Sequence, residues 1–215
     1  MIELKNVRPV PLIEMPGGIR PDSGVFGRDC RFEKGRRYLI EAPSGRGKST
    51  LLHIIYGLRP DYEGEVMVHG KDIRSFRPDD WAGSRQRELA IVFQDLRLFP
   101  KLTALENILL KAGQTALVPE DQIRQWAERL GIGSILDQTA ATLSYGQRQR
   151  VAIIRALCQP FGCLLLDEPF SHLDGANTRL AFDLVREVCH ERGAGFVLVS
   201  LGEPHNDEFD EILVL

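Results

Sequence analysis

The stretch Arg37-Tyr38-Leu39-Ile40-Glu41-Ala42-Pro43-Ser44-Gly45-Arg46-Gly47-Lys48-Ser49-Thr50 joins a short apolar run to a loop of small residues. Leu51, Leu52, Ile54, Ile55 and Leu58 follow at helical spacing, so the order is strand, loop, helix from Lys48 to Leu58. Gly45 and Gly47 let a backbone wrap phosphates with no Cβ in the way, and the helix begins where its free N–H groups face an anion. In such a loop Lys48 reaches the β- and γ-phosphates of a nucleotide, and Ser49 offers its hydroxyl to Mg²⁺, which keeps most of its water and takes few protein oxygens. Ala42 stands where the usual phosphate loop begins with glycine. If that backbone needs a positive φ, alanine is strained there; if not, little changes.

Downstream, Cys163-Leu164-Leu165-Leu166 ends in Asp167-Glu168 before Pro169. An apolar strand ending in two carboxylates places them at the carboxyl edge of a sheet, where α/β proteins bind ligands. Asp167 is expected to hold Mg²⁺ through water, and Glu168 to polarise an attacking water. Between these two regions lies Leu143-Ser144-Tyr145-Gly146-Gln147, which opens a polar helix expected from Gln147 to Cys158. A small hydroxyl residue and a glycine at a helix start leave backbone N–H groups unpaired, so the chain carries a second anion site.

Further strands are expected at Ile2 to Val7, Glu65 to His69, Leu89 to Phe93, Phe196 to Ser200 and Glu211 to Leu215. The strand at Ile2 to Val7 leads into a loop rich in Pro and Gly, with Pro9, Pro11, Pro16, Gly17, Gly18 and Pro21, which reads as too broken for regular structure. Leu105, Ile108 and Leu109, then Ile123, Trp126 and Leu130, recur at helical spacing. The expectation is one domain over 1–215, with an α/β core at 1–93 and 160–215 and a helical subdomain inserted at 94–159. With 215 residues, 43% hydrophobic and 27% charged, the chain is an ordinary globular one, which excludes disordered and fibrous classes. A net charge of -3 gives no basic field, so no nucleic-acid partner is expected. Cys30, Cys158, Cys163 and Cys189 form no CxxC pair and read as reduced core residues. No signal pattern and no apolar run near the ~20 residues of a membrane span is present, so a cytoplasmic chain that serves a membrane by docking to another protein is expected.

Ser44 to Thr50, Val92-Phe93-Gln94, Leu143 to Gln147, Leu164 to Pro169 and Ser171-His172-Leu173-Asp174 occur in the order found in ABC-transporter ATPase subunits, and the chain resembles that family over nearly its whole length. The resemblance implies an α/β fold: a P-loop NTPase core, a mixed sheet flanked by helices with an N-terminal antiparallel β part, and the inserted helical subdomain. It implies a head-to-tail dimer with a second ATPase subunit, identical or different, that sandwiches two ATP molecules. Each ATP lies between the phosphate loop of one subunit and the signature Ser144, Gly146 and Gln147 of the other. Gln94 resembles the loop glutamine that touches Mg²⁺ and the water and links the site to integral membrane permease subunits, which would place the chain on the inner face of the cell membrane. Asp174 resembles a dimer-contact aspartate and equally suits a helix N-cap.

The segment Gln94 to Ile108 is similar to the lipoprotein-release, macrolide-export and cell-division branch. Within it Leu96, Leu98 and Phe99 suit either an apolar groove for a membrane partner's helix or subdomain core. Two departures bear on rate. Val7 to Gly24 has no aromatic residue to stack on adenine, and the nearest, Phe26, is expected to pack in a strand. Leu201 stands where the family places a histidine against the γ-phosphate, which predicts slow hydrolysis unless His205 substitutes. Two function classes stand: the ATP-hydrolysing subunit of an ABC transporter or related membrane complex, and a soluble ABC ATPase acting on nucleic acid or ribosomes. Single-unit length, without coiled coils or zinc modules, favours the first.

Overall fold

The computed structural model describes residues 1–200 and 209–215. In chain order its elements are β1 (Ile2–Pro9), α1 (Val10–Glu14), β2 (Cys30–Phe32), β3 (Arg37–Glu41), α2 (Lys48–Ile55), β4 (Tyr62–Val68), β5 (Lys71–Asp72), α3 (Pro78–Arg87) and β6 (Leu89–Val92). There follow α4 (Ala104–Thr115), α5 (Glu120–Arg129), α6 (Tyr145–Leu157), β7 (Cys163–Asp167), α7 (Gly175–Glu191), β8 (Gly195–Ser200) and β9 (Glu211–Val214). The mixed β structure resolves into two sheets, one antiparallel in the order β2-β1-β4-β5 and one in the order β6-β7-β8-β3-β9 whose pairings are all parallel.

Parallel strands buried on both faces need near-continuous apolar runs, and Leu164, Leu165 and Leu166 of β7 are all fully buried. Alternation sorts them. Leu164 and Leu166 join Leu39, Phe196 and Leu198 on the face covered by Ile108 of α4, Val151 and Ile154 of α6, and Phe182 and Val185 of α7. Leu165 joins Ile40, Val197 and Val199 on the other face, under Leu51, Leu52, Ile54 and Ile55 of α2 and the apolar side of the antiparallel sheet. Because every pair in this sheet is parallel, the carboxyl ends of β3, β6, β7 and β8 lie along one edge, with Glu41 opposite Ser200 and Asp167 opposite Val199.

Three local expectations are corrected. The segment after Val7 is not wholly irregular: β1 runs on to Pro9 and α1 follows, with Pro11 in the first turn where no N–H is needed and Leu12 buried as its anchor. Helix α2 stops at Ile55 rather than Leu58, because Gly57 at φ +72° turns the chain, and the Leu58 N–H closes on the His53 carbonyl at 2.8 Å. Helix α6 starts at Tyr145 rather than Gln147, since Ser144 and Gln147 form a reciprocal capping box. Helix α3 was not anticipated, although Pro78 in its first turn and the acidic pair Asp79 and Asp80 announce it.

The turn between β6 and α4 is organised by Asn107, which is fully buried. Its amide donates to the carbonyls of Phe99, Leu102 and Thr103 at 3.1, 3.3 and 2.9 Å, and its oxygen accepts the Phe99 N–H at 2.8 Å. Replacing Asn107 with the similarly sized leucine strands several backbone groups at once. Asn107→Leu is expected to cost about 2–4 kcal/mol in urea unfolding; a loss below about 0.5 kcal/mol would show that the turn does not depend on this amide.

Candidate nucleotide site

The loop from Ala42 to Gly47 leaves β3 at the carboxyl edge and enters α2 through Gly47, at φ +92°. Gly45 is left-handed too, at φ +78°, whereas Ala42 is not among the positive-φ residues, so alanine costs nothing there. A Cβ at position 47 would fall 2.6 Å from Leu12 Cδ1 and 3.0 Å from Phe26, so glycine is required by contact as well as by φ. Arg46 donates to the Gly17 carbonyl at 3.4 Å, tying the loop to the turn after α1. Lys48 is buried at the centre of the loop; its Nζ donates to the carbonyls of Ala42 and Pro43 at 2.8 and 3.2 Å and lies 3.2 Å from Glu168 Oε1. Pro11, Leu12 and Met15 of the α1 region, Ser44, Gly45, Gly47 to Thr50, Gln94 and Glu168 line one cavity of about 240 Å³.

Three oxygens converge at Ser49, which lines this cavity. Ser49 Oγ lies 3.1 Å from Asp167 Oδ1 and 3.4 Å from Gln94 Oε1. A hydroxyl has a single proton, so it cannot satisfy both acceptors. Asp167 is 1% exposed, its Oδ2 has no hydrogen-bond partner among the described residues, and burial above all raises its pKa to about 6 against the opposing hydrogen bond from Ser49. A hydroxyl, an amide oxygen and an unsatisfied carboxylate form an oxygen set that fits a hard divalent cation. Among the described residues no cluster of three or more His, Cys, Asp or Glu side chains offers an alternative metal centre. Glu168 next to it adopts a left-handed φ of +48°, a conformation that costs a non-glycine residue about 1–2 kcal/mol. That turn points the second carboxylate at Lys48 rather than along the strand.

The signature residues lie apart from this cavity: neither Ser144 nor Gly146 lines it. The Ser144 hydroxyl accepts the Gln147 N–H at 3.2 Å and the Gln147 side chain accepts the Ser144 N–H at 2.8 Å, so Gln147 serves the cap in this chain. The first-turn N–H groups of Tyr145 and Gly146 are outside that exchange. A Cβ on Gly146 would meet the His172 carbonyl at 3.0 Å, which explains a glycine inside a helical turn. Asp174 is the N-cap of α7, accepting the Asn177 N–H at 2.8 Å, and that bond first of all holds its carboxyl below the usual range.

Sequence reasoning missed what positions Gln94. Leu96 and Arg97 are both left-handed, at φ +60° and +46°, and this strained turn is clamped by α6. The Tyr145 hydroxyl donates to the Gln94 carbonyl at 2.6 Å, and the Arg155 guanidinium donates to the carbonyls of Leu96 and Arg97 at 2.6 and 2.7 Å. The Tyr145 ring also lies 4.3 Å from the His172 ring, and His172 Nδ1 is 2.9 Å from Ser171 Oγ. The glutamine loop, the signature and the segment before α7 are therefore one connected group.

Of the apolar trio after Gln94, Leu96 is buried and Leu98 packs partly buried against the core, while Phe99 is 57% exposed. Phe99 does border a groove of about 280 Å³, with Tyr56, Phe93, Leu110, Lys111 and Arg155. Burial, with Arg155 and Arg85 nearby, holds the Lys111 ammonium below the usual lysine value. Phe26 packs in a turn rather than a strand and is 3% exposed. Leu201 and His205 lie outside the described residues. The four cysteines are free, and burial pushes the Cys158 and Cys189 thiols up to about 12.

The family model described as ABC transporter matches residues 27–171. The lipoprotein-releasing system ATP-binding protein LolD of Legionella pneumophila (strain Lens) is 36% identical over 192 residues, spanning 88% of this chain and 85% of that protein. Its namesake from Shewanella oneidensis is 35% identical over 175 residues, spanning 80% and 76%. Among solved structures, the dimeric bacterial ABC transporter cassette MJ0796 superposes with a TM-score of 0.83 at 30% identity, over 100% of this chain and 94% of that one. A post-hydrolysis state of the same cassette, bound to ADP and Pi, gives 0.78 at 30% identity over 94% and 88%. Matched by the family model over more than half its length and by relatives along most of the rest, the chain belongs to the ABC transporter family as one of its ATP-binding domains.

Proposed function

We propose that this chain is the ATP-binding and ATP-hydrolysing subunit of a membrane complex in the lipoprotein-release branch of the family, working as a dimer. The observation that carries the reading is the meeting of Lys48, Ser49, Gln94 and Glu168 in one cavity, with Asp167 held against Ser49 and the signature displayed elsewhere on the surface. Ser44 to Thr50 bind the triphosphate through backbone N–H groups and Lys48. Ser49, Gln94 and Asp167 are the residues that would hold Mg²⁺, which when bound neutralises charge on the phosphates. Glu168 accepts a hydrogen bond from the attacking water and orients it, and Gln94 is positioned beside it. The reaction is ATP plus water to ADP and phosphate, driven by positioning and charge stabilisation.

Because Ser144 and Gly146 lie apart from their own chain's cavity, the free N–H groups at the start of α6 serve the ATP of a second ATPase subunit. Among the described residues no helix is long and apolar enough to cross a membrane. Integral membrane subunits are the proposed partners, and the groove beside Phe99 and Leu110, both exposed, is where one of their segments would dock. Tyr145 on the Gln94 carbonyl and Arg155 on the carbonyls of Leu96 and Arg97 link that groove to the nucleotide site, since Arg155 lines the groove. The relatives' names supply the branch, and the carried substrate belongs to the membrane partners.

Glu168→Gln is expected to lower ATP turnover by about 10²- to 10⁴-fold while leaving ATP able to drive two chains together in sedimentation. Parental turnover in this variant, or failure of ATP to produce a dimer, would overturn the reading. Hydrolysis by the parent is expected to be slow. Leu201→His should raise turnover at least about tenfold, a change of one decade in rate, and fast parental turnover unaffected by His205→Ala would contradict this.

A further inference from the structure

Tyr145 lies between Ser144 and Gly146 of the signature, yet its side chain serves its own chain. The hydroxyl donates to the Gln94 carbonyl at 2.6 Å, across 51 positions of sequence. The ring that carries this hydroxyl is held by two neighbours: the His172 ring, 4.3 Å away between centroids, and the Arg148 guanidinium, 5.4 Å from the ring centre. His172 is seated in its turn. Its Nδ1 is 2.9 Å from Ser171 Oγ, which accepts from Nε2 of the buried Gln149 at 3.2 Å. A tyrosine side chain has few rotamers, so a ring held in this way fixes where its hydroxyl stands. Gln94 needs such a support. It is exposed, it follows the end of β6 by two residues, and the turn beyond it contains the left-handed Leu96 and Arg97. Strained φ values persist only where the surroundings hold them. Arg155 holds the carbonyls of Leu96 and Arg97, and Tyr145 holds residue 94 itself, whose side-chain Oε1 lies 3.4 Å from Ser49 Oγ.

We propose that Tyr145 is a positioning residue for ATP hydrolysis: its hydroxyl fixes the backbone of Gln94 so that the amide side chain stands beside Ser49. The inference rests on the reading of Gln94 as part of the hydrolytic site. Tyr145 does not line the nucleotide cavity, so its effect reaches the reaction through Gln94. Loss of the hydroxyl therefore disturbs the alignment needed for hydrolysis and leaves the phosphate loop, which binds the triphosphate, as it was. Phenylalanine at this position keeps the ring against His172 and Arg148 and removes the one bond to Gln94.

A double-mutant cycle on the full chain tests the assignment, read as phosphate release from labelled ATP with Mg²⁺ and as ATP affinity by calorimetry. Tyr145→Phe is expected to lower kcat by about 3- to 12-fold, the worth of one hydrogen bond, with ATP affinity changed by less than about twofold. Gln94→Ala is expected to lower kcat by at least about tenfold. That substitution keeps the carbonyl that Tyr145 bonds and removes the side chain that the bond positions. Adding Tyr145→Phe to Gln94→Ala should therefore change kcat by less than about 1.5-fold. Parental kcat in Tyr145→Phe would overturn the proposal, as would a loss of ATP affinity equal to the loss of rate. A further loss of the full factor in the Gln94→Ala background would also overturn it, because Tyr145 would then act through the fold or on the partner's nucleotide. The two levels separate in the single variants: parental kcat in Gln94→Ala refutes the place of Gln94 in hydrolysis and the role of Tyr145 with it. A drop in Gln94→Ala beside parental kcat in Tyr145→Phe removes the role of Tyr145 alone.

Discussion

Parallel pairing of β6, β7, β8 and β3 is the constraint on which the site depends. In a sheet of this kind all strands point the same way, so every residue that follows a strand emerges at the same edge. The phosphate loop after Glu41, Gln94 two residues past β6, and Asp167-Glu168 at the end of β7 are far apart in sequence and neighbours in space for this reason alone. The sheet tolerates this only because both faces are covered, which is what the fully buried leucines of β7 require. The resulting edge concentrates unsatisfied chemistry: a carboxylate oxygen without a partner among the described residues, a serine hydroxyl between two acceptors, and a glutamate in a left-handed turn.

A second element, α6, ties that edge to the helical part of the chain. Its first turn presents the signature, its side chains Tyr145 and Arg155 hold the strained turn after Gln94, and its inner face is packed into the main core. Arg155, which lines the groove, bonds the carbonyls of Leu96 and Arg97, and Tyr145 bonds that of Gln94, at 2.6 to 2.7 Å. The same helix cannot move without moving Ser144 and Gly146. The candidate nucleotide site, the signature and the groove beside Phe99 thus meet through one helix and one strained loop.

Much of this was legible in the sequence. The strand-loop-helix around Ser44 to Thr50 and the leucine run into Asp167-Glu168 have local signatures, because an apolar run and a glycine loop need no distant partner to be recognised. The capping box of Ser144 and Gln147 was equally readable, and overlooking it shifted the start of α6 by two residues. Helix α1 was hidden because its five residues have poor local signals and are held by a tertiary contact, Leu12 against Gly47. Whether Leu96 and Leu98 faced core or solvent was undecidable from spacing, since consecutive left-handed residues held by Arg155, 58 positions from Arg97, reverse the ordinary alternation. The Lys48 to Glu168 pair and the Tyr145 bond to Gln94 are likewise products of the assembled sheet edge and not of any local pattern.

The central claim is that the signature of this chain completes the site of another. It is tested most directly by mixing a Lys48→Ala chain with a Ser144→Arg chain and measuring, with ATP and Mg²⁺, the mass of the complex and the nucleotide it retains. In a head-to-tail dimer one site collects both defects and the other collects neither. The account predicts that neither variant dimerises alone, while the mixture forms a dimer that retains a single nucleotide. A mixture in which each variant behaves as it does alone would contradict the account.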